Sequence, residues 1–337
     1  MQRRFLDMIA AHEAVAEVGS IQGAAKRLDI PYETLRSRYH RAMQVLKKPD
    51  VRHAMQSLAR EPVAQMYDEK NDAKPETVLE IPEIKDGLAI VFSDCHWRSL
   101  KQPRSLSHEA LLILARHLKP GFLFCAGDAV DMASVSRHPP LGWGDVKKPN
   151  VKEELAAAQT HLRELREAAG TPQCYWVRGN HDDRYDKWLS AHASAFDGMG
   201  AFALQDQFLD WPMTYRLDVG DLSIVHSWHS GIHSAYNNAL KSGRTIVSGH
   251  THTLDVRPLN HWSKRIWGVQ AGSLADPAWP QFNYTMGLPG QHNQGFVVLT
   301  WRDGALQPPE LCEVSDGAAW FRGQLVCGRV RVKSGRG

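Results

Sequence analysis

The chain has 337 residues, which is enough for one large domain and one small one. Hydrophobic residues make up 43% of it and charged residues 23%, proportions that are ordinary for a soluble globular protein. No apolar run approaches the length that crosses a bilayer, and the amphipathic N-terminus lacks an apolar signal core, which argues against secretion. The five dispersed cysteines, including Cys125 and Cys174 in predicted core strands, indicate free thiols in a reducing cytoplasm.

The N-terminal 47 residues have the periodicity of three helices, the first of which ends at Gly19. Ser20 can cap a second helix over residues 21–28, and a turn containing Pro31 leads to a third helix over residues 32–46. Apolar spacing predicts the core-facing residues of the second and third helices, which are Ala24, Ala25, Leu28, Leu35 and Met43.

This succession of helices resembles a helix-turn-helix DNA-binding module, in which the third helix would be the recognition helix. The net charge of +3 is unevenly placed, since residues 1–60 contain eleven Lys and Arg against six Asp and Glu. The residues predicted to contact DNA are Tyr32, Arg36, Arg38, His40 and Arg41. Three-helix units of this size also serve in protein interaction or dimerisation, and that alternative stays open.

Residues 48–86 are predicted to be an exposed linker with a weak helix over 51–66. From residue 87 to the C-terminus, short apolar runs alternate with helical segments, which predicts an α/β domain of two packed, mixed β-sheets flanked by helices. The predicted strands cover residues 88–93, 122–126, 174–178, 222–225, 245–248, 266–271, 295–301 and 319–332. The predicted helices cover residues 107–118, 150–168 and 184–196.

Clusters of Asp, His and Asn follow five of these predicted strands. Their members are Asp94 and His96, then Asp128 and Asp131, then Asn180, His181 and Asp182, then His226, and finally His250 and His252. Residues two apart at a strand end should project from one face, so we expect this of Asp94 with His96 and of His250 with His252. Carboxylate and amide oxygens mixed with imidazoles suit Mn²⁺, Fe or Zn²⁺, and the lack of cysteine argues against a structural zinc site.

In kind and order these clusters resemble those of the calcineurin-like metallophosphoesterases, whose motifs DxH, GDxxD, GNHD, a lone His and GHxH all occur here between about residues 87 and 300. The resemblance implies a dimetal phosphoesterase with an αββα sandwich fold. It also implies one metal held by Asp94, His96 and His252, a second held by Asn180, His226 and His250, and Asp128 bridging the two. We take Mn²⁺ as the first choice of metal, with Fe and Zn²⁺ as alternatives.

The same resemblance makes His181 the histidine beside the substrate phosphate, with Asp182 orienting it and Asp131 behind the metal ligands. Two ions about 3.5–4 Å apart would activate a water and offset the charge that grows on the phosphoryl oxygens. His181 could then protonate the leaving oxygen, a contribution that is typically worth about 10²–10⁴ in rate.

Other positions near these clusters carry weaker signals. His226 is preferred over His229 as a ligand because it directly ends an apolar run, which leaves His229 near the mouth of the site, although Ser227 stands where the family often has Gly. Arg98 and Arg184 flank two clusters and either bind substrate phosphate or form ordinary salt bridges. Packing is the expected role of Trp97, Trp143, Trp228 and Trp279.

Together these features predict a cytoplasmic dimetal phosphoester hydrolase that acts as a phosphodiesterase or nuclease and is directed to DNA by its N-terminal domain, without membrane association. The first alternative is a phosphomonoesterase acting on proteins or small molecules, whose N-terminal domain mediates protein interaction or dimerisation. The second is a non-catalytic DNA-binding or scaffold protein with a vestigial metal fold, against which the complete ligand set argues.

Overall fold

The structure is a computed structural model. It describes residues 14–15, 18–28, 30–46, 77–137, 149–196, 199, 201–262, 264–285 and 292–329. The weak helix predicted over residues 51–66, most of the first predicted helix, and Trp143 lie outside these ranges. The chain divides into two compact units, residues 1–73 and residues 74–337. Within the described ranges, no helix combines the length and the apolar character that crossing a membrane requires.

The N-terminal unit contains helices α1 (Ile21–Arg27) and α2 (Tyr32–Leu46). Ser20 caps α1, as predicted, because its hydroxyl accepts a hydrogen bond from the Gly23 N–H at 3.1 Å. A small core confirms three of the predicted interior residues, which are Ala24, Ala25 and Leu35.

The predictions for Leu28 and Met43 are wrong, because these side chains are 40% and 37% exposed. Leu28 is the residue at which α1 ends, and Ile30 packs against the small core in its place. Met43 lies in the C-terminal half of α2. Among the described side chains of α2, Tyr39 is the last that packs against the small core, and Met43 lies beyond it.

The second unit is built on two β-sheets. The larger sheet contains β2 (Gly87–Phe92), β3 (Phe122–Cys125), β4 (Gln173–Val177), β5 (Met213–Thr214), β11 (Gly295–Arg302), β12 (Ala305–Leu306), β13 (Glu310–Ser315), β14 (Ala318–Phe321) and β15 (Gln324–Gly328). Its order is β15-β14-β13-β11-β2-β3-β4-β5, with β12 paired to β11. The run from β2 to β5 is parallel, whereas β11 to β15 pair in antiparallel fashion.

The smaller sheet contains β1 (Leu79–Ile81), β6 (Arg216–Val219), β7 (Leu222–Val225), β8 (Thr245–Ser248), β9 (Leu254–His261) and β10 (Lys264–Ala271), in the order β1-β6-β7-β8-β10-β9. Strands β7, β8 and β10 run parallel to one another. Strand β1 falls within the range for which the sequence predicted a linker, and its three residues are too few to show a period.

Helices cover the outer faces of both sheets. They are α3 (Leu106–Leu118), α4 (Val151–Ala169), α5 (Asp183–His192) and α6 (Ser234–Ser242). The alternation of side chains along β2 places Ile90 and Phe92 in the core shared with α3 and α4, while Ala89 and Val91 lie in the core between the sheets. Two mixed sheets flanked by helices are therefore confirmed.

Local chemistry explains the elements that the sequence analysis missed or merged. The predicted single strand over residues 319–332 is a hairpin of β14 and β15, turning at Arg322 and Gly323, which both have positive φ. Strand β9 contains Pro258, which is tolerated because β9 lies at the edge of its sheet. Helix α6 has polar residues at most positions and therefore gave no helical apolar pattern.

A buried pair of histidines provides a test of this packing. His108 on α3 and His161 on α4 have ring centroids 4.8 Å apart, and His108 is only 2% exposed. Burial lowers the pKa of His108 to about 3, assisted by the charges of His161 and Arg104. The folded chain therefore keeps His108 neutral where the unfolded chain, with its ordinary pKa of 6.5, takes up a proton.

We predict that His108 alone lowers the free energy of unfolding by about 2 kcal/mol between pH 8 and pH 5, because only the unfolded state is protonated there. The substitution His108→Gln should remove this part of the pH dependence in urea denaturation. His117→Gln on the exposed face of α3 is the matched control. A pH dependence that is equal in wild type and His108→Gln would contradict the prediction.

Candidate metal centre

The predicted metal ligands lie in the loops that follow five strands. Asp94 and His96 follow β2, Asp128 follows β3, and Asn180 follows β4, three parallel neighbours in the larger sheet. The remaining ligands, His226, His250 and His252, follow β7 and β8, which are parallel neighbours in the smaller sheet. Backbone hydrogen bonds connect these loops, since Asp94 N–H donates to Gly127 O and Gly249 N–H donates to His226 O.

Left-handed backbone conformations aim many of these side chains. Positive φ angles between 47° and 71° occur at Asp94, His96, Asp128, His250 and His252. The sequence predicted that strand alternation would orient Asp94 with His96 and His250 with His252. That prediction is wrong, because these residues lie beyond the strand ends in the left-handed conformation. This conformation costs about 1–3 kcal/mol for each residue. Asp and His tolerate this region better than branched residues do, and such strain is common at functional sites.

Two glycines permit the loops to approach each other closely. A Cβ atom at Gly179 would lie 2.1 Å from Oδ1 of Asp128, and one at Gly127 would lie 2.3 Å from Nδ1 of His226. Gly127 also has a φ of 98°, which side chains rarely allow. These positions have to be glycine if the carboxylate and the imidazole are to occupy their places.

The first group of potential ligands is Asp94, His96 and His252. Oδ1 of Asp94 lies 3.2 Å from Nε2 of His252 and 3.8 Å from Nε2 of His96. Oδ2 accepts hydrogen bonds from the Ser93 hydroxyl at 2.6 Å and from the His250 N–H at 2.9 Å, whereas the buried Oδ1 has no hydrogen-bond partner among the described residues. An unsatisfied buried carboxylate oxygen facing two imidazole nitrogens fits a divalent cation.

The second group is Asp128, His226 and His250, with Asn180 beside it. Nε2 of His226 lies 3.2 Å from both Oδ2 of Asp128 and Oδ1 of Asn180. Nδ1 of His226 donates to Ala126 O at 2.8 Å, which directs Nε2 towards the other potential ligands. Asp128 also belongs to a third group with His96 and His181, so its carboxylate lies within 4.8 Å of a ring nitrogen of His96, which is a member of the first group.

The charges of the centre suit cations. Burial raises the pKa of Asp94, but the neighbouring His252 and His226 outweigh burial and bring it to about 2. Burial lowers the pKa of His226, but the carboxylates of Asp128 and Asp94 outweigh burial and raise it to about 10. Burial also raises the pKa of Asp128, but the neighbouring His226 and His181 outweigh burial and hold it well below its usual range. Both carboxylates are therefore ionised at neutral pH, and a metal ion that bound His226 would displace a proton from it.

His181 is held by Asp131 rather than by Asp182. Nδ1 of His181 lies 2.9 Å from Oδ1 of Asp131 and 3.0 Å from its carbonyl oxygen, so it donates to one or both. The same Oδ1 lies 3.2 Å from Nδ1 of His96, which connects His181 to the metal ligands. Asp131 thus orients both imidazoles.

The prediction that Asp182 orients His181 is wrong. The carboxylate of Asp182, which is fully buried, accepts hydrogen bonds from four N–H groups, those of the backbone at Gly179, Asp128 and Val130 and that of the Trp176 indole. These bonds tie the loops after β3 and β4 together. Asp182 therefore shapes the site through the backbone, and its adjacency to His181 in the sequence was misleading.

The flanking arginines both contact Asp131. Arg98 forms an ion pair with its carboxylate, and Arg184 donates to its carbonyl oxygen at 2.9 Å. Arg184 also lies 3.0 Å from Nε2 of His181 through its other terminal nitrogen. His229 is in none of the three ligand groups, and its ring packs against Trp228 at 4.9 Å.

One histidine and one tryptophan depart from what the sequence predicts. The ring of His292 lies 4.5 Å from that of His252, although a single His in a polar loop carries no sequence signal. Trp97 and Trp279 are buried as predicted, but Trp228 is 49% exposed, so packing is the wrong role for it. Trp228 lies only two residues after the predicted ligand His226, and this position in the sequence could have indicated an exposed side chain rather than a packed one.

In the N-terminal unit, Tyr32 is 44% exposed, His40 is exposed, and Arg38 is half-buried. Arg36 is exposed and forms an ion pair with Glu33 at 3.4 Å. The side chain of Arg41 lies outside the described residues. The structure therefore gives α2 an exposed face that carries at least one cation, and DNA contact by this face stays a prediction.

Residues 88–289 match the sequence model of the calcineurin-like phosphoesterase superfamily domain. The chain belongs to this family and is a metal-dependent phosphoesterase. It is similar to the gene 54 protein of Mycobacterium phage D29, with 27% identity over 57% of this chain and 80% of the phage protein. The gene 54 protein of Mycobacterium phage L5 is 28% identical over 41% of this chain and 60% of the phage protein.

Solved structures give weaker similarities. Zinc-bound Vps29 from Entamoeba histolytica is 14% identical, with 71% of this chain and 99% of Vps29 covered and a TM-score of 0.38. The nuclease MPE of Pseudomonas putida is 13% identical, with 66% of this chain and 86% of the nuclease covered and a TM-score of 0.29. Such low TM-scores add nothing to the family match.

Two substitutions separate the roles of neighbouring residues. We predict that His181→Ala lowers kcat by about 10²–10⁴ with little effect on stability, since the role expected for His181 is to donate a proton to the leaving oxygen. Asp182→Asn should lower the free energy of unfolding by about 1–3 kcal/mol, because the new amide group faces N–H donors. Urea denaturation and steady-state kinetics measure both. Slow turnover of a fully stable Asp182→Asn protein would restore the orienting role.

Proposed function

We propose that the chain is a two-metal phosphodiesterase, acting as a nuclease, that its N-terminal unit brings to DNA. The carboxylate of Asp128 carries the proposal, because it belongs to one group with His226 and His250 and to another with His96. Asp128 would bridge two metal ions, of which one is held by Asp94, His96 and His252 and the other by Asn180, His226 and His250. We propose Mn²⁺ as the metal, and Fe and Zn²⁺ are alternatives that the same mixture of oxygen and nitrogen ligands suits.

When bound, the two ions supply an activated water at neutral pH and offset negative charge on the phosphoryl oxygens. The chain itself supplies the proton for the leaving oxygen. Burial lowers the pKa of His181, but the carboxylates of Asp128 and Asp131 outweigh burial and raise it, which favours the protonated imidazole. Asp131 holds Nδ1, so Nε2 is the atom from which the proton leaves.

Arg184 controls access to that atom. Its Nη2 contacts Nε2 of His181, in an arrangement where the imidazole nitrogen accepts the hydrogen bond. Phosphoryl oxygens are better acceptors for a guanidinium than an imidazole is, so a bound substrate draws the Arg184 N–H away. Substrate binding thus exposes Nε2 of His181, which would take up a proton from solvent, as the raised pKa favours, and then pass that proton to the leaving oxygen.

A diester substrate is supported by exposed apolar side chains in the segment that follows His226 in the chain. Trp228, Ile232 and Tyr236 are 49%, 76% and 45% exposed, and exposed aromatic rings offer stacking surfaces for nucleobases. The proposal divides the chain into a helix-turn-helix domain over residues 1–47, a linker, and a phosphoesterase domain that includes β1. The free cysteines support a cytoplasmic location.

One observation favours the alternative of a phosphomonoesterase with an N-terminal interaction domain. The charge of Arg36, a central residue of the predicted DNA-binding face, is offset by Glu33 at 3.4 Å. Such a pair weakens phosphate contacts, and a protein surface is then an equally suitable partner for α2.

DNA cleavage and DNA binding test the proposal together. We predict that Mn²⁺-loaded protein cleaves labelled DNA and that Asp128→Ala abolishes cleavage. Arg36→Ala with Arg41→Ala should weaken DNA binding and reduce the slope of log affinity against log salt by about 2, because two phosphate contacts are lost. Asp128→Ala should also abolish hydrolysis of bis(4-nitrophenyl) phosphate, whereas the double variant should hydrolyse it like the wild type.

Lys26→Ala, on the exposed side of α1, is the control for removing a cation. Robust hydrolysis of 4-nitrophenyl phosphate with no cleavage of DNA would contradict the nuclease proposal. Unchanged DNA affinity in the double variant would contradict the role of α2 and favour the interaction domain.

A further inference from the structure

A cavity of about 290 Å³ adjoins the candidate metal centre at His250. Its wall is formed by the loop before α6, the start of α6 and the loop after β8, with the lining residues Ser230, Gly231, Ile232, Ser234, His250, Thr251 and Thr253. Four of these side chains are hydroxyls, and none of the described lining residues is a carboxylate. The cavity is therefore suited to an anion or a neutral polar group.

The N-terminus of α6 faces this cavity through Ser234, its first residue. The residue before it, His233, makes no side-chain cap, and the first turn contains no acidic residue. Among the described hydrogen bonds, the backbone N–H groups of Ala235 and Tyr236 have no acceptor. A helix start with free N–H groups and no capping anion carries a partial positive charge.

The Ser234 side chain independently indicates a ligand. The residue is only 4% exposed, lines the cavity, and has no hydrogen-bond partner for its hydroxyl among the described residues. The hydroxyl oxygen is not one of the fully enclosed atoms without a partner, so it is open to the cavity that the residue lines. A group that accepts a hydrogen bond inside the cavity would satisfy the hydroxyl together with the free backbone N–H groups.

The structure holds this helix start rigidly in place. Helix α6 lies so close to β10 that a Cβ atom at Gly268 would be 1.9 Å from Ala235 O. The buried Asn238 accepts from the His229 N–H at 3.0 Å and donates to the Ser248 hydroxyl at 3.2 Å, which anchors the preceding loop to β8. The donors are therefore fixed before any ligand arrives, which favours binding.

We propose that the cavity binds a second phosphoryl group of the substrate, so that the enzyme prefers a phosphodiester with another phosphate next to it along the chain. The inference rests on the proposed phosphodiesterase function and names its substrate as a nucleotide chain rather than an isolated diester. Because His250 belongs to both the metal centre and the cavity, one substrate can occupy the two sites together. Helix N-termini with free N–H groups are well suited to phosphate.

Chromogenic nucleotides test this inference in both chain directions. Thymidine 5′-(4-nitrophenyl phosphate) is compared with its 3′-phosphorylated form, and thymidine 3′-(4-nitrophenyl phosphate) with its 5′-phosphorylated form. For one of these pairs the wild type should show a KM that is about tenfold lower for the substrate with the second phosphate, as one or two charge-assisted hydrogen bonds provide.

The variant Ser234→Asp should abolish this preference, because its carboxylate competes for the same donors and repels the second phosphate. Ser234→Ala should reduce it partly, and Ser190→Asp, an exposed position on α5, should keep it. Circular dichroism and metal content verify that each variant is folded. The ratio of the two KM values is the readout, so a general loss of activity does not imitate the result.

Equal KM values for both members of both pairs in the wild type, or an unchanged ratio in folded Ser234→Asp, would overturn the inference and leave the phosphodiesterase proposal standing. Failure of the wild type to hydrolyse any of the four diesters, with good hydrolysis of 4-nitrophenyl phosphate, would overturn the phosphodiesterase proposal and the inference with it.

Discussion

The carboxylate of Asp128 is the contact on which the rest of the centre depends. Its Oδ2 lies 3.2 Å from Nε2 of His226, and its Oδ1 accepts the N–H of His181 at 2.8 Å. The absence of a side chain at Gly179 leaves room for it, and the Asp182 carboxylate holds its backbone N–H. One buried carboxylate therefore contacts loops that follow strands of both sheets, and in the proposed function it would be shared by two cations.

The strain of the left-handed residues follows from this requirement. Asp94 and His96 both lie beyond the end of β2, and their left-handed backbone conformations direct the two side chains into the centre. The two sheets, packed through an apolar core, offset this cost, so the fold serves as a rigid frame for a strained set of loops.

Much of this frame is visible in the sequence. Buried parallel strands give continuous apolar runs, so β7 and β8 were predicted with the bounds that the structure has. The order and spacing of the clusters pointed to the family, and the structure brings the predicted ligands into overlapping groups. The candidate metal ligands could be predicted from the sequence, because they are recognised by residue type and by position after a strand.

Contacts between residues that are distant in the chain could not be predicted from the sequence in this way. Asp182 neighbours His181 in the sequence but bonds to the loop after β3, whereas Asp131 reaches His181 from that loop. The cavity beside His250 depends on the start of α6, which has no apolar period. These features depend on how separate loops pack against each other, and a single sequence does not show which loops are in contact.

Metal content measured by plasma mass spectrometry, together with anomalous diffraction from Mn²⁺-loaded crystals, tests the central claim most directly. The account predicts two metal ions per chain on either side of Asp128, and loss of both in folded Asp128→Ala. A single ion in the wild type, or two ions retained in Asp128→Ala, would contradict it.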